Sequence, residues 1–293
     1  MPLLILYSFL FLFGLAMGSF LNVIVYRLQK GESFLLSPSE TRKGFSSFFE
    51  RSYCPKCEHE LGWQDLIPLA SFIFLKGKCR YCKEKISWQY PLVELVTGLI
   101  FLAIGLRNSS LLFYGNNTLW VWSTFFDIAI AGFLVIIFLY DLKHFIIPDV
   151  VIYPAIIVAF VYRLCEIFGF GNQIWPEGIN ITFLNLLSDP ILSAFGASAF
   201  FLFIVLISRG KWMGIGDIKL AFLMGLFLGF PEVLVALFSA FFLGAIIGIG
   251  LIVFGKKSLK SEVPFGPFLA TGTLIAFFWG PEIIRWYLNF FTF

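Results

Sequence analysis

The chain has 293 residues, of which 59% are hydrophobic, 19% aromatic and 13% charged, and its mean hydropathy is +0.89. A soluble domain carries about 25% charged residues, so this composition excludes a secreted globular protein, a disordered chain and a freely soluble enzyme. A net charge of +3 is too small to argue for a nucleic-acid partner.

Taken in chain order, the apolar runs fall near 3–25, 91–107, 120–140, 147–167, 188–208, 213–230, 232–254 and 264–281. They predict an all-α polytopic membrane protein of about eight transmembrane helices, with the bilayer as its main partner. The run from Ala129 to Leu139 is apolar on every side, whereas a barrel strand would alternate in polarity. The first run has no basic stretch before it and no small-residue cleavage site before Arg27, so it is expected to stay as a helix. Basic residues give the orientation, because loops rich in Lys and Arg stay cytoplasmic. Seventeen of the 21 fall in loop 26–90 and in the loops after the third, fifth and seventh spans, only Arg107, Arg163 and Arg285 fall on the other side, and Lys219 lies within the sixth span. Both termini are therefore expected on the non-cytoplasmic side.

Four of the five cysteines form Cys54-Pro55-Lys56-Cys57 and Cys79-Arg80-Tyr81-Cys82, two C-x-x-C knuckles with the spacing of a structural zinc ribbon. Disulfides would not persist in a reducing cytoplasm, and a small polar insert gains most of its folding energy from a metal. Structural Zn2+ on Cys54, Cys57, Cys79 and Cys82 is the leading reading, with disulfides, redox work and unligated thiols as the alternatives. Four thiolates complete the shell, so His59 reads as a surface residue. Cys165 reads as an ordinary buried small residue.

Carboxylates in or beside hydrocarbon are costly and therefore informative. Asp141 ends the third span and Asp217 opens the sixth, within Gly214-Ile215-Gly216-Asp217, so the orientation brings both to the cytoplasmic face at one depth. Gly214 and Gly216 leave the backbone bare for the close approach of a peptide or helix. Two neighbouring carboxylates share a proton and can activate water and protonate a leaving amine, the chemistry of an aspartic protease; equally, Asp141 and Asp217 are unrelated loop-edge residues. Asp149 opens the fourth span, where it reads as a helix cap, and Asp189 reads as a solvated cap on the opposite face. For Asp127 and Glu94 the plain reading is a polar contact between helices.

Beyond these spacings, the sequence resembles the prepilin peptidases, the bifunctional leader peptidases and N-methyltransferases of bacterial type IV pilus and type II secretion systems. The matches run along nearly the whole chain: Gly18-Ser19-Phe20-Leu21-Asn22-Val23 with Tyr26-Arg27, Ile67-Pro68, both knuckles, Tyr90-Pro91-Leu92-Val93-Glu94, Asp141-Leu142 with Ile147-Pro148-Asp149, Gly214-Ile215-Gly216-Asp217-Ile218-Lys219 with Gly225, and Pro264-Phe265-Gly266-Pro267. The resemblance implies that Asp141 and Asp217 are the catalytic dyad and that prepilin or pseudopilin precursors are cut on the cytoplasmic side of the inner membrane. It also implies that the new N-terminus is methylated with S-adenosylmethionine. Three segments follow: a first transmembrane helix over 1–26, a cytoplasmic zinc-binding loop over 27–90 and a membrane peptidase domain of about seven helices over 91–293.

For Lys219, tuning a carboxylate, binding substrate and reaching to the interface all stand. For Glu94, a part in methyl transfer and a structural role both stand. No glycine-rich methyltransferase domain is visible, so the cofactor site is expected in the first loop and neighbouring helices. The competing functions are a proton- or cation-coupled transporter using Asp141, Asp149 and Asp217, and an inactive zinc-bearing assembly scaffold. A transporter more often carries its acids near the midplane and an internal repeat, and this sequence has neither feature.

Overall fold

The computed structural model describes residues 2–29, 52–113, 117–166, 183–210, 213–254 and 263–291. Lys30, Arg42, Lys43, Arg51, Lys211, Lys256, Lys257 and Lys260, all part of the charge balance, lie outside these residues. In chain order the helices are α1 (Pro2–Gln29), α2 (Ala70–Phe74), α3 (Gln89–Arg107), α4 (Ser109–Phe113), α5 (Asn117–His144), α6 (Asp149–Cys165), α7 (Phe183–Ser208), α8 (Ile215–Leu228), α9 (Glu232–Val253) and α10 (Gly266–Phe291). Apart from two isolated bridges in the cysteine loop, the described secondary structure is helical, as the apolar runs predict. The chain divides into two compact units, Met1–Ile128 and Ala129–Phe293.

Each of the eight apolar runs forms a helix, and among the described residues six helices are long and apolar enough to cross a membrane unaided. The other two, α6 with 17 residues and α8 with 14, reach about 25 and 21 Å at ~1.5 Å per residue, against a hydrocarbon core of about 30 Å. Backbone chemistry shortens α8 at both ends. Gly214 precedes it in an extended conformation, and Gly229 stops it with φ at 78° just before Phe230-Pro231.

In the first unit, α1 lies flat against α3. Gly14 and Gly18 are one turn apart on α1, and a β-carbon at either would come within 2.8 Å of the Gly98 Cα or 2.7 Å of the Glu94 Cα. Small residues at this spacing let two membrane helices approach to backbone contact, where dispersion replaces the missing hydrophobic drive. Polar bonds then fix the depth: Asn22 donates to the Tyr90 carbonyl at 3.3 Å, and the Leu69 N–H donates to Glu94 Oε2 at 2.8 Å.

In the second unit, α8 packs against α6, α7, α9 and α10. It buries Leu220, Ala221, Leu223, Met224, Leu226 and Phe227, as expected of a helix that is apolar all round. Gly225 makes the closest approach, since a β-carbon there would meet the Ser193 carbonyl at 2.4 Å. At the far end Arg163 of α6 donates through Nε to the Leu226 carbonyl at 3.0 Å, and through Nη2 to that of Phe227. It thereby satisfies carbonyls that the short helix leaves open.

Candidate active site

Asp141 and Asp217 are both buried, and each carboxylate rests one oxygen on a backbone N–H beside a helix N-terminus. Asp217 sits three residues into α8, where its Oδ2 accepts from the Gly214 N–H at 3.2 Å. This is the acidic half of a capping box; glycine has no side chain to return the bond. Asp141, near the end of α5, accepts through Oδ2 from the Gly266 N–H at 3.0 Å, at the start of α10. Helix N-termini favour negative charge, and that is what the two N–H groups offer these otherwise buried acids.

Gly266 is a residue that sequence reasoning had not attached to either acid. A β-carbon there would lie 2.5 Å from Asp141 Oδ2, so any side chain would displace the carboxylate. The signal lay in the Pro264-Phe265-Gly266-Pro267 run, which marks a helix start but does not say which acid it faces. Gly216 serves packing, because its position lies against Ile147, with a β-carbon 3.1 Å from the Ile147 Cβ. Among the described residues Gly214 is open: the nearest atoms to a β-carbon there are Asp217 Oδ2 at 3.8 Å and the Gly216 nitrogen at 3.9 Å. Of the two glycines, only Gly214 leaves free space beside a carboxylate.

Lys219 and Asp149 form a pair of their own. Their side chains meet at 2.5 Å, and the Lys219 ammonium lies 4.9 Å from the Tyr153 ring centre. Two residues along a helix turn the side chain by about 200°, which carries Lys219 away from Asp217 and onto α6. The cap reading for Asp149 changes accordingly: Pro148 occupies the N-cap position without a side-chain capping bond, while Asp149 adds a favourable charge in the first turn. Asp127 follows its plain reading, accepting from Asn108 Nδ2 at 2.9 Å. Glu94, in the first unit, holds the Leu69 N–H.

The cysteine loop folds as two matching knuckles. In the first, the Cys54 N–H donates to the His59 carbonyl and the Glu58 N–H to the Cys54 carbonyl; in the second, Cys79 donates to Glu84 and Lys83 to Cys79. Glu58 and Lys83 both take positive φ, 57° and 61°. Tyr53 bridges to Glu60, as Lys78 does to Lys85. The four sulfurs lie within 4.8 Å of one another, with Cys54 and Cys82 4.0 Å apart. A tetrahedron of sulfurs at about 2.3 Å from zinc has edges of about 3.8 Å, so this donor set fits a metal ion. Burial pushes the Cys54 thiol up, yet hydrogen bonds from the Cys57 and Lys56 backbone outweigh it and draw the thiol down to about 7, which favours a thiolate. His59 stands outside the sulfur cluster with its ring on Tyr81, and Cys165 is half-buried and free.

Asp65, in the turn that follows the first knuckle, is tied to the second knuckle. It takes hydrogen bonds from Arg80 Nε at 2.7 Å, the Tyr81 hydroxyl at 3.2 Å and the Gly62 N–H at 3.2 Å. Burial pushes its carboxyl up, but the bonds from Arg80 and Gly62 and the Arg80 charge prevail and hold it below the usual carboxylate range.

Residues 12–108 match the bacterial peptidase A24 N-terminal domain and residues 128–249 the type IV leader peptidase family. Proteins named prepilin leader peptidase/N-methyltransferase are similar along nearly their whole length. That of Aeromonas salmonicida is 31% identical over 97% of this chain and 94% of its own. The Pseudomonas aeruginosa protein is 31% identical over 95% and 92%, and the Bacillus subtilis protein 31% over 96% and 98%. No solved structure matches the chain. At such identity and coverage, the chain belongs to the type IV leader peptidase family.

Proposed function

We propose that this protein removes the leader from prepilin or pseudopilin precursors with Asp141 and Asp217 as its acid–base pair, and methylates the new N-terminus. The observation that carries this reading is the pair itself: two buried carboxylates in one compact unit, each anchored by a single oxygen to a helix N-terminus. One ionised member takes a proton from water, the resulting hydroxide attacks the scissile carbonyl, and the protonated member gives its proton to the leaving amine. Open space at Gly214 admits the substrate backbone beside Asp217. Lys219, already paired with Asp149, acts as a brace between α6 and α8.

Zn2+ bound by Cys54, Cys57, Cys79 and Cys82 holds the insert together, a structural role that suits four thiolates with no open position. S-adenosylmethionine supplies the methyl group, and loop 26–90 is its proposed seat, although residues 30–51 lie outside the described part. A groove beside α2 and the second knuckle, in the described part of the loop, does not fit the cofactor. Lysines and apolar groups line it, with no acidic side chain for the ribose hydroxyls. The active face is proposed to be cytoplasmic, with both chain termini on the other side of the inner membrane, as the basic loops require.

The test is to incubate the purified protein with a precursor carrying a short basic leader and to follow product mass with and without S-adenosylmethionine. Leader loss without the cofactor, and a further methyl mass with it, is the expected result. A folded Asp141→Asn protein that still cuts at a near-normal rate refutes the acid pair.

A further inference from the structure

The second knuckle, α2 and the start of α3 enclose a groove of about 690 Å³ with an unusual set of walls. One wall is Leu92 and Leu95, which belong to the span Gln89–Arg107 and remain exposed, Leu92 at 60%. This wall is continuous with the surface the span turns towards lipid. The opposite wall is α2. Phe72 and Ile73 both line the groove, the Phe72 ring 4.9 Å from that of Trp88, and Phe74 lies beside it; Ile73 and Phe74 are 69% and 84% exposed. Trp88, immediately before the span, is 75% exposed, at the level where indole rings mark membrane interfaces.

The rim is basic. Lys76, Lys78 and Lys85 all line the groove, and no ion pair engages them among the described residues. The groove is tied to the span, because the Leu69 N–H at the start of α2 is bonded to Glu94, one turn inside it. A soluble insert would hold Ile73, Phe74 and Trp88 in water at a cost. Against a membrane the same side chains enter the interface, and the lysines meet the phosphate layer.

We propose that this groove binds an anionic phospholipid, with its acyl chain along Leu92, Leu95 and Ile73 and its phosphate on Lys76, Lys78 and Lys85, and so seats the zinc-binding insert on the membrane surface. The commitment is to a lipid rather than to a free phosphate, because the apolar wall is a membrane-facing helix. The inference rests on the membrane span and the groove, and stands apart from the peptidase reading.

The test uses the full zinc-loaded chain in nanodiscs of phosphatidylcholine with or without phosphatidylglycerol. With Phe74 replaced by the photo-crosslinker p-benzoylphenylalanine, illumination should yield phospholipid adducts. Native mass spectrometry should show phosphatidylglycerol retained over phosphatidylcholine. The variant Lys76→Gln/Lys78→Gln/Lys85→Gln should lose this preference by at least about fivefold, since one basic residue at an anionic surface contributes roughly that factor. Its zinc content should be unchanged, so that a fold defect is recognised as such. The proposal is overturned if residue 74 gives no lipid adduct, if both proteins retain the two lipids equally, or if inorganic phosphate or S-adenosylmethionine displaces the phosphatidylglycerol.

Discussion

The cysteine insert and the acid pair are held by opposite means. Each knuckle is made locally, by bonds that span a few residues and recur in the same order in the other knuckle. What brings the two halves together is the cluster of four sulfurs, while Asp65 ties the intervening turn to the second knuckle. The acid pair depends on distant partners: Asp141 is set by a backbone N–H 125 residues away, and Asp217 rides on a short helix positioned by four neighbours. Local motifs with a metal tolerate a poor core, whereas two acids from different helices need close helix packing. Metal loss should therefore undo the insert and spare the pair, and a packing defect around α8 should do the reverse.

The sharpest break is chemical. Asp141→Asn and Asp217→Asn are each expected to lower leader cleavage by about a thousandfold or more, within the range of lost acid–base catalysis. Zinc content should be unaffected, and product mass together with metal analysis tests both statements.

Next in size is metal removal. Cys79→Ser, or stripping by chelator, should open the insert, because structural zinc supplies about 10 kcal/mol or more of folding energy in small metal domains. Methylation should fall at least about tenfold while cleavage persists, in keeping with metal-site supports costing roughly 10–100-fold in activity. Product mass separates the two activities. If methylation survives zinc loss, the methyl-transfer site is independent of the insert.

Packing gives the converse experiment. Gly225→Leu forces atoms into the Ser193 carbonyl and should destabilise the second unit by about 1–3 kcal/mol, lowering Tm and cleavage together. Gly248 has open space around it, so Gly248→Leu should stay within about 0.5 kcal/mol. Equal effects from both would mean that α7 and α8 are not in contact at Gly225.

Acid should act on the insert first. The Asp65 carboxyl lies below its ordinary value in the fold, so its stabilisation is complete above the ordinary carboxylate pKa and is lost as pH falls through the depressed one. Insert stability, read by hydrogen exchange of residues 52–88, should thus fall below about pH 4. Asp65→Asn should flatten the part of this fall that does not come from protonation of the metal-binding thiolates.

The smallest effect is expected at the brace. Lys219→Gln and Asp149→Asn should each change cleavage only a few-fold, and their double variant should show a coupling of about 1 kcal/mol or less, as for partly exposed ion pairs. A loss comparable to Asp217→Asn would move Lys219 from brace to catalytic residue.

The amino-acid sequence alone determined the membrane class, the helical fold, the cysteine quartet and the family, because each rests on composition or on short motifs that keep their meaning wherever they lie. Apolar runs of this length must become helices in lipid, since no water is available to bond an open backbone. The tertiary structure decided what depends on contacts between distant segments. Gly266 became the partner of Asp141 only once α10 met α5. Lys219 turned to Asp149 because helical rotation carries it off the face of Asp217. The run 213–230 became a helix of 14 residues, because the glycines at its ends set its length while the helices around it supply the apolar surroundings that lipid would otherwise provide. The groove beside Lys76 likewise exists only where α2 is tied to Glu94. No periodicity encodes such a bond; it arises when a buried carboxylate finds the one N–H within reach.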